Sequence, residues 1–198
     1  MTKQNPNLDR AARGEGPIAK ADIAIVDAAE PFAESLPVRA IGKASELADQ
    51  PPLIAACVAT TLGGLAARNS QLLRTGLRML ASHALATGIK TLLKDHVDRS
   101  RPDKVERDGE HVMEEGESED GEDRSFPSGH SAGAVAVARA VAREYPASAP
   151  LGYTAAGLAA AVQVPRKAHF PSDVLVGVAI GLVSEAVVAG AARLVRRR

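Results

Sequence analysis

Residues 126–141 read FPSGHSAGAVAVARAV, and the reading of this stretch governs the rest of the chain. From Ser131 to Val141 it is apolar apart from Arg139, a run that predicts a helix packed on its neighbours. Immediately ahead stand Pro127, Ser128, Gly129 and His130, so polar chemistry sits at the entrance of the helix and not inside it. Gly129 leaves room for an anion to approach the backbone. The amides of Ser128, Gly129 and His130 can point at that anion, where the helix dipole favours negative charge. Taken alone, Ser128 reads equally well as an ordinary N-cap.

Working outward, four more apolar stretches flank this one: 51–67, 72–93, 151–164 and 174–194. The first and third carry no charge, the second holds Arg74, Arg78, His83 and Lys90, and the last is interrupted only by Glu185 and Arg193. The expected fold class is therefore all-α, a helical bundle with about five apolar helices. Small residues such as Gly63, Gly64, Gly177 and Gly181 suit helices whose backbones approach closely. Ahead of the bundle, residues 1–20 read as a flexible polar tail. Residues 21–49 read as amphipathic helices, with Ile23, Val26 and Phe32 and then Val38, Ile41 and Leu47 at helical spacing. Residues 103–124 are dominated by Asp and Glu with interspersed Gly, which predicts an acidic loop insert, either disordered or acting as a mobile lid. At 198 residues, a single domain over 21–198 is the simplest organisation.

Bulk properties exclude several classes. With 24 basic and 24 acidic residues the chain has no global field to gather nucleic acid. Its one cysteine, Cys57, rules out an intramolecular disulfide and thiolate clusters. No cleavable leader is evident in the first thirty residues. A membrane span needs about 20 predominantly apolar residues; 51–67 falls short, Pro146 and Pro150 break the run at 145–165, and there is no Trp to anchor an interface. On pattern alone a soluble bundle and a membrane bundle both fit.

Two further polar clusters also stand at helix ends. Lys94 and Arg101-Pro102 follow the second long helix, and His169-Phe170-Pro171-Ser172-Asp173 opens the last. If the helices alternate in direction, all three clusters meet on one face. Lys94 supplies a mobile point charge and Arg101 a planar fork that grips two phosphoryl oxygens. His169 and Asp173 are one helical turn apart, so the carboxylate can reach one ring nitrogen and leave the other free to attack.

Together the three clusters resemble the type 2 phosphatidic acid phosphatase superfamily, which includes lipid phosphatases, class A acid phosphatases and vanadium haloperoxidases. The family pattern is Lys, six residues, Arg-Pro; then Pro-Ser-Gly-His; then Ser-Arg, five residues, His, three residues, Asp. Lys94 to Pro102 and Pro127 to His130 match in full, and His169 and Asp173 match the end of the third element. One departure stands out: Gln163, preceded by Val162, occupies the place of the family's arginine, with Arg166 and Lys167 close by as substitute cations. The resemblance implies that His169 attacks phosphorus to form a phosphohistidine, that Asp173 holds its ring, and that His130 protonates the leaving group and then activates water. It implies that Lys94, Arg101, Ser128 and Gly129 cradle the phosphate, with Gln163 or Arg166 completing the cradle. No metal or other cofactor is implied, and His83, His96 and His111 have no matching role.

The same resemblance implies a multi-pass protein of the cell membrane that hydrolyses a phosphate mono- or diphosphate ester of a lipid, phosphatidic acid-like or a polyprenyl phosphate. Arginines at 68, 74, 139, 143, 193 and 196–198 place the helix ends opposite the site in the cytoplasm and the site itself on the extracytoplasmic face. The competing expectations are a silent phospholipid-binding membrane protein, motivated by Gln163, and a vanadate-dependent haloperoxidase. The oligomeric state has no signature in the sequence.

Overall fold

The computed structural model of the chain describes residues 5–13 and 15–196. Its helices are α1 (Pro6–Ala11), α2 (Pro17–Ala29), α3 (Leu36–Ser45), α4 (Gln50–Ala66), α5 (Ser70–Lys94), α6 (Pro102–Asp108), α7 (Gly129–Glu144), α8 (Ala149–Ala161) and α9 (Pro171–Arg196). Two short strands, β1 (Val97–Arg99) and β2 (Met113–Glu115), pair antiparallel with Asp98 opposite Glu114. The architecture is mostly helical, and the expectation of an all-α fold yields only at this two-stranded ribbon.

The five apolar stretches of the sequence lie in α4, α5, α7, α8 and α9, which run alternately down and up. At the centre stands α7, packed by α5, α8 and α9, while α4 lies against α5. Its sequence explains the position. Ala132, Gly133, Ala134, Val135, Ala136, Ala138 and Ala140 are all buried, on every side of the helix, and their small side chains let neighbours come close. A Cβ on Gly177 would stand 2.4 Å from the Ser128 carbonyl oxygen, and one on Gly181 would stand 2.6 Å from that of Ala132. Backbone thus meets backbone between α9 and α7. Gly64 and Gly76 do the same between α4 and α5, whereas Gly63 faces only Leu72 at 4.0 Å.

The outer faces of the same helices are apolar. Leu62 and Leu65 on α4, Leu77 and Leu92 on α5, Leu151 on α8 and Leu175 and Val187 on α9 are all exposed. Among the described residues α9 is the one helix long and apolar enough to cross a membrane, over Pro171–Val195; α4 is apolar but shorter. The acidic side chain in the middle of α9 is neutralised: Glu185 is fully buried, and Arg143 donates to it at 2.5 and 2.8 Å, with Arg139 at 3.4 Å.

Two expectations about the flanks are corrected. Of the predicted tail at 1–20, residues 1–4 and 14 lie outside the described residues, but the rest is built into the fold. Asn5 caps α1, Leu8 and Ala11 are buried against Val105 and Phe170, and Asn7 donates to the Glu106 and Arg107 carbonyls at 2.8 and 3.1 Å. The acidic insert is likewise a folded lobe, because two of its carboxylates have basic partners and its own Ser118 and Arg124 reach carboxylates just ahead of it. Lys104 bonds Asp123 at 2.7 Å, Arg107 bonds Glu122 at 2.8 Å, Arg124 bonds Asp95 at 2.5 Å, and the Ser118 amide donates to Asp98 at 3.0 Å.

Candidate active site

All three clusters meet at one end of the bundle. A cavity of about 590 Å³ opens there, lined by Lys90 and Lys94 of α5, Arg101, Gly129 and His130 of α7, and His169, with Asp49 and Gln50 at the start of α4 across from them. Each group arrives by a local device. Lys94 is the last residue of α5, where a cation complements the helix dipole; its ammonium donates to the Arg124 carbonyl. Arg101 is extended, ahead of Pro102 at the first position of α6. Its backbone N–H donates to the Glu122 carbonyl and its Nε to the Gly121 carbonyl, both at 2.8 Å. The acidic insert therefore grips the arginine from behind, and the two terminal nitrogens of the fork remain for a ligand.

His169 emerges from the turn between α8 and α9. Gln163 builds that turn: its carbonyl accepts from the amides of Ala168 and His169 at 3.1 and 3.2 Å. Its fully buried side chain donates to the Ala159 carbonyl at 2.9 Å and to Ser45 at 3.3 Å. Gln163 consequently faces α3, outside the cavity. Arg166 turns the same way, donating to the Gly42 carbonyl at 2.9 Å and to Ser45 at 3.0 Å, and Lys167 pairs with Glu106 at 2.5 Å. None of the three substitute candidates lines the cavity.

Ser128 is also placed away from it. Fully buried, it is the N-cap of α7, with Oγ at 2.9 Å from Ser131 Oγ, and its own amide donates to the Asp173 carbonyl at 3.1 Å. The capping reading prevails over the anion-binding one at this residue, and Gly129 and His130 are left as the amides at the helix entrance.

Asp173 sits behind His169, but the direct bond expected between them is long, at 3.9 Å from Nδ1 to Oδ2. The carboxylate is occupied elsewhere. Oδ2 accepts from Ser125 Oγ at 2.6 Å and from the Phe170 amide at 2.9 Å, while Oδ1 accepts from Arg99 at 2.5 Å. Arg99, which sequence reasoning passed over, is almost wholly buried, lies over the Phe170 ring at 4.5 Å and also binds Asp22 of α2 at 2.7 Å. It ties the insert, the N-terminal helix and α9 at one point. The signal was visible only as one more arginine between Lys94 and Arg101.

Burial holds the His169 imidazole well below the ordinary histidine range, and Lys94, Arg101 and His130 push it the same way while the Ser125 backbone opposes them. A neutral ring keeps a lone pair for attack. His130 has a partner that sequence reasoning also missed: its Nε2 lies 2.7 Å from Asp49 Oδ1. An acidic residue at that spot in sequence reads only as the entry to α4. The arrangement presents three cations, Lys90, Lys94 and Arg101, with helix amides and two imidazoles around one space, which suits in-line transfer of a phosphoryl group.

Comparison with known proteins agrees. The family model of the PAP2 superfamily matches residues 75–196. The fold is similar to that of a transmembrane PAP2 type phosphatidylglycerolphosphate phosphatase from Bacillus subtilis, with a TM-score of 0.68 and 23% identity over 94% of this chain and 92% of that one. It is similar also to LpxE from Aquifex aeolicus, with a TM-score of 0.65 and 18% identity over 85% of this chain and 94% of that one. No curated protein matches the sequence.

Proposed function

This chain belongs to the PAP2 superfamily and is a phosphoric ester hydrolase, and on that premise we propose that it is a multi-pass membrane phosphatase that cleaves a lipid phosphate through a phosphohistidine. The observation that carries the reading is the convergence of Lys94, Arg101, His130 and His169 on one cavity at the helix ends. His169 attacks phosphorus through Nε2, the nitrogen turned from Asp173. Lys94, Arg101 and the Gly129 and His130 amides hold the equatorial oxygens, where charge gathers in the transition state. His130 protonates the leaving oxygen and then takes a proton from the attacking water, with Asp49 holding its ring. Asp173 acts by fixing the Phe170 amide, and with it the turn that carries His169. Ser128, Gln163 and Arg166 shape the site without touching the phosphate.

The lipid nature of the substrate is supported by a second, apolar groove of about 500 Å³ lined by Leu47, Leu53, Val137, Leu158 and neighbouring alanines. Ala48 belongs to both cavities, so the groove begins where the polar site ends. The apolar outer faces of α4, α5, α8 and α9 support five crossings, within a single domain that includes α1–α3 and the acidic lobe. Helix ends opposite the site carry Arg68, Arg74, Arg139 and Arg143, which supports a cytoplasmic position for that end and an outside position for the site.

Phosphate release from phosphatidic acid, phosphatidylglycerophosphate and prenyl phosphates by detergent-purified protein tests the reading. Wild-type turnover is expected on at least one of them, and His169→Ala is expected to abolish it while the melting temperature stays within a few degrees. Equal background release by both proteins overturns the enzyme in favour of a lipid-binding role.

A further inference from the structure

A second cavity, of about 700 Å³, takes no part in the hydrolysis. One wall is α3 and the other is the turn that leads to His169; only Glu46 lines both this cavity and the phosphate cavity. Its charged lining is Arg39 and Lys43 of α3 with Arg166 and Lys167 of the turn, against the carboxylates of Glu34 and Glu46. Two of the four cations are engaged. Lys167 pairs with Glu106, and Arg166 holds α3 through the Gly42 carbonyl and Ser45, with Glu46 at 3.8 Å. Arg39 and Lys43 stand one turn apart on the exposed side of α3, and among the described residues neither has an ion-pair partner. The same helix carries an apolar edge. At about 3.6 residues per turn, Leu36, Ala40, Ala44 and, just past the end of α3, Leu47 fall beside the basic pair, while Gly42 and Ser45 are buried on the other side. Leu36 is 79% exposed and Leu47 71%. An apolar edge flanked by a basic row is the pattern of a helix that lies in a bilayer interface. The position of α3 fits, because it leads into Asp49 and Gln50 at the mouth of the phosphate cavity, and Ile41, Ala44 and Leu47 wall the apolar groove.

We infer that the groove between α3 and the Pro165–Lys167 turn is a docking site for the headgroup of an anionic membrane lipid that is not the substrate, with the chains of that lipid along Leu36 and Leu47. The inference rests on the membrane reading and goes beyond the hydrolase. Complementarity selects the occupant. A soluble anion would use Arg39 and Lys43 but leave the two leucines in water, and an apolar partner would cover the leucines but strand the cations. An anionic lipid supplies both parts in one molecule: a phosphodiester oxygen for the basic pair and hydrocarbon for the edge below it. Each basic residue near an anionic bilayer surface adds about fivefold to the attraction. Such a lipid anchors α3 at the surface, where the helix stands between the headgroup groove and the apolar one.

The chain contains no Trp, so Leu36→Trp places a single indole at the groove. The full chain with this change is reconstituted in phosphatidylcholine nanodiscs carrying rising fractions of brominated phosphatidylglycerol or, separately, of brominated phosphatidylcholine, whose bromines quench an indole that they touch. Half-maximal quenching is expected at a fraction of the anionic lipid about tenfold or more below that of the zwitterionic one. Adding Arg39→Gln and Lys43→Gln is expected to erase the preference, at about fivefold for each cation, whereas Arg39→Lys with Lys43→Arg is expected to keep it. An excess of orthophosphate is expected to change nothing, because the reacting phosphate belongs to the other cavity. Equal quenching by the two lipids, a preference that survives both glutamines, or one that orthophosphate abolishes overturns the site. Absence of quenching by either lipid puts a protein surface on α3 and overturns it as well. The readout needs no turnover, so a selective site in a chain that hydrolyses no ester would stand while the hydrolase reading failed.

Discussion

At the scale of single residues, the site is held less by its motifs than by the partners of those motifs. His130 rests on Asp49, 2.7 Å away and half-exposed at the mouth of the cavity. The pair lets the ring be held as an acid without fixing the phosphate, so its loss belongs in kcat. Asp49→Asn is expected to lower kcat for phosphate release about tenfold or more with KM changed less than twofold, as read from steady-state kinetics; an unaltered kcat would show that the carboxylate plays no part in holding His130. Asp173 shows the converse, since its spacing from His169 was plain in sequence and yet its oxygens serve Arg99, Ser125 and the Phe170 amide. Spacing along a helix states which side chains can meet, not which partner wins. Arg99 was illegible because a buried arginine differs from an exposed one only through contacts at sequence distances of 77 and 74 residues.

At the scale of elements, the helices were legible almost to their ends, since long uncharged runs bury best as helices, and α7, rich in small residues, stands at the centre of the bundle. The acidic insert was not. Its composition matches disorder, but Lys104, Arg107 and Arg124 lie within or beside it and neutralise Asp123, Glu122 and Asp95, and β2 finds an edge on β1. Averaged charge hides such pairing. The insert matters to chemistry because the turn at Gly121–Asp123 holds both the backbone and Nε of Arg101. Replacing residues 106–122 with a short flexible linker is therefore expected to lower kcat/KM about a hundredfold, on lipid and on soluble phosphate esters alike, because the fork loses its orientation. A lid that merely selected among substrates would change one class and spare the other.

At the scale of the whole molecule, the alternation of α4, α5, α7, α8 and α9 brings the cavity to one end and Arg68, Arg74, Arg139 and Arg143 toward the other. One feature argues that lipid surrounds the middle: the apolar outer faces of the helices. Among the described residues only α9 is both long and apolar enough to cross by itself. The shorter α4, α7 and α8 span about 25, 24 and 20 Å at 1.5 Å per residue, so five crossings demand a locally thinned bilayer or flanking side chains that reach the interface. This is open to direct measurement, because Cys57 is wholly buried and leaves a quiet background for new thiols. With a membrane-impermeant maleimide on intact cells, Glu117→Cys in the acidic lobe is expected to label, and Ala147→Cys between α7 and α8 only after permeabilisation. Labelling of both from outside would mean that α7 does not cross, and the apolar faces would then have to be covered by a partner or by lipid on one side alone.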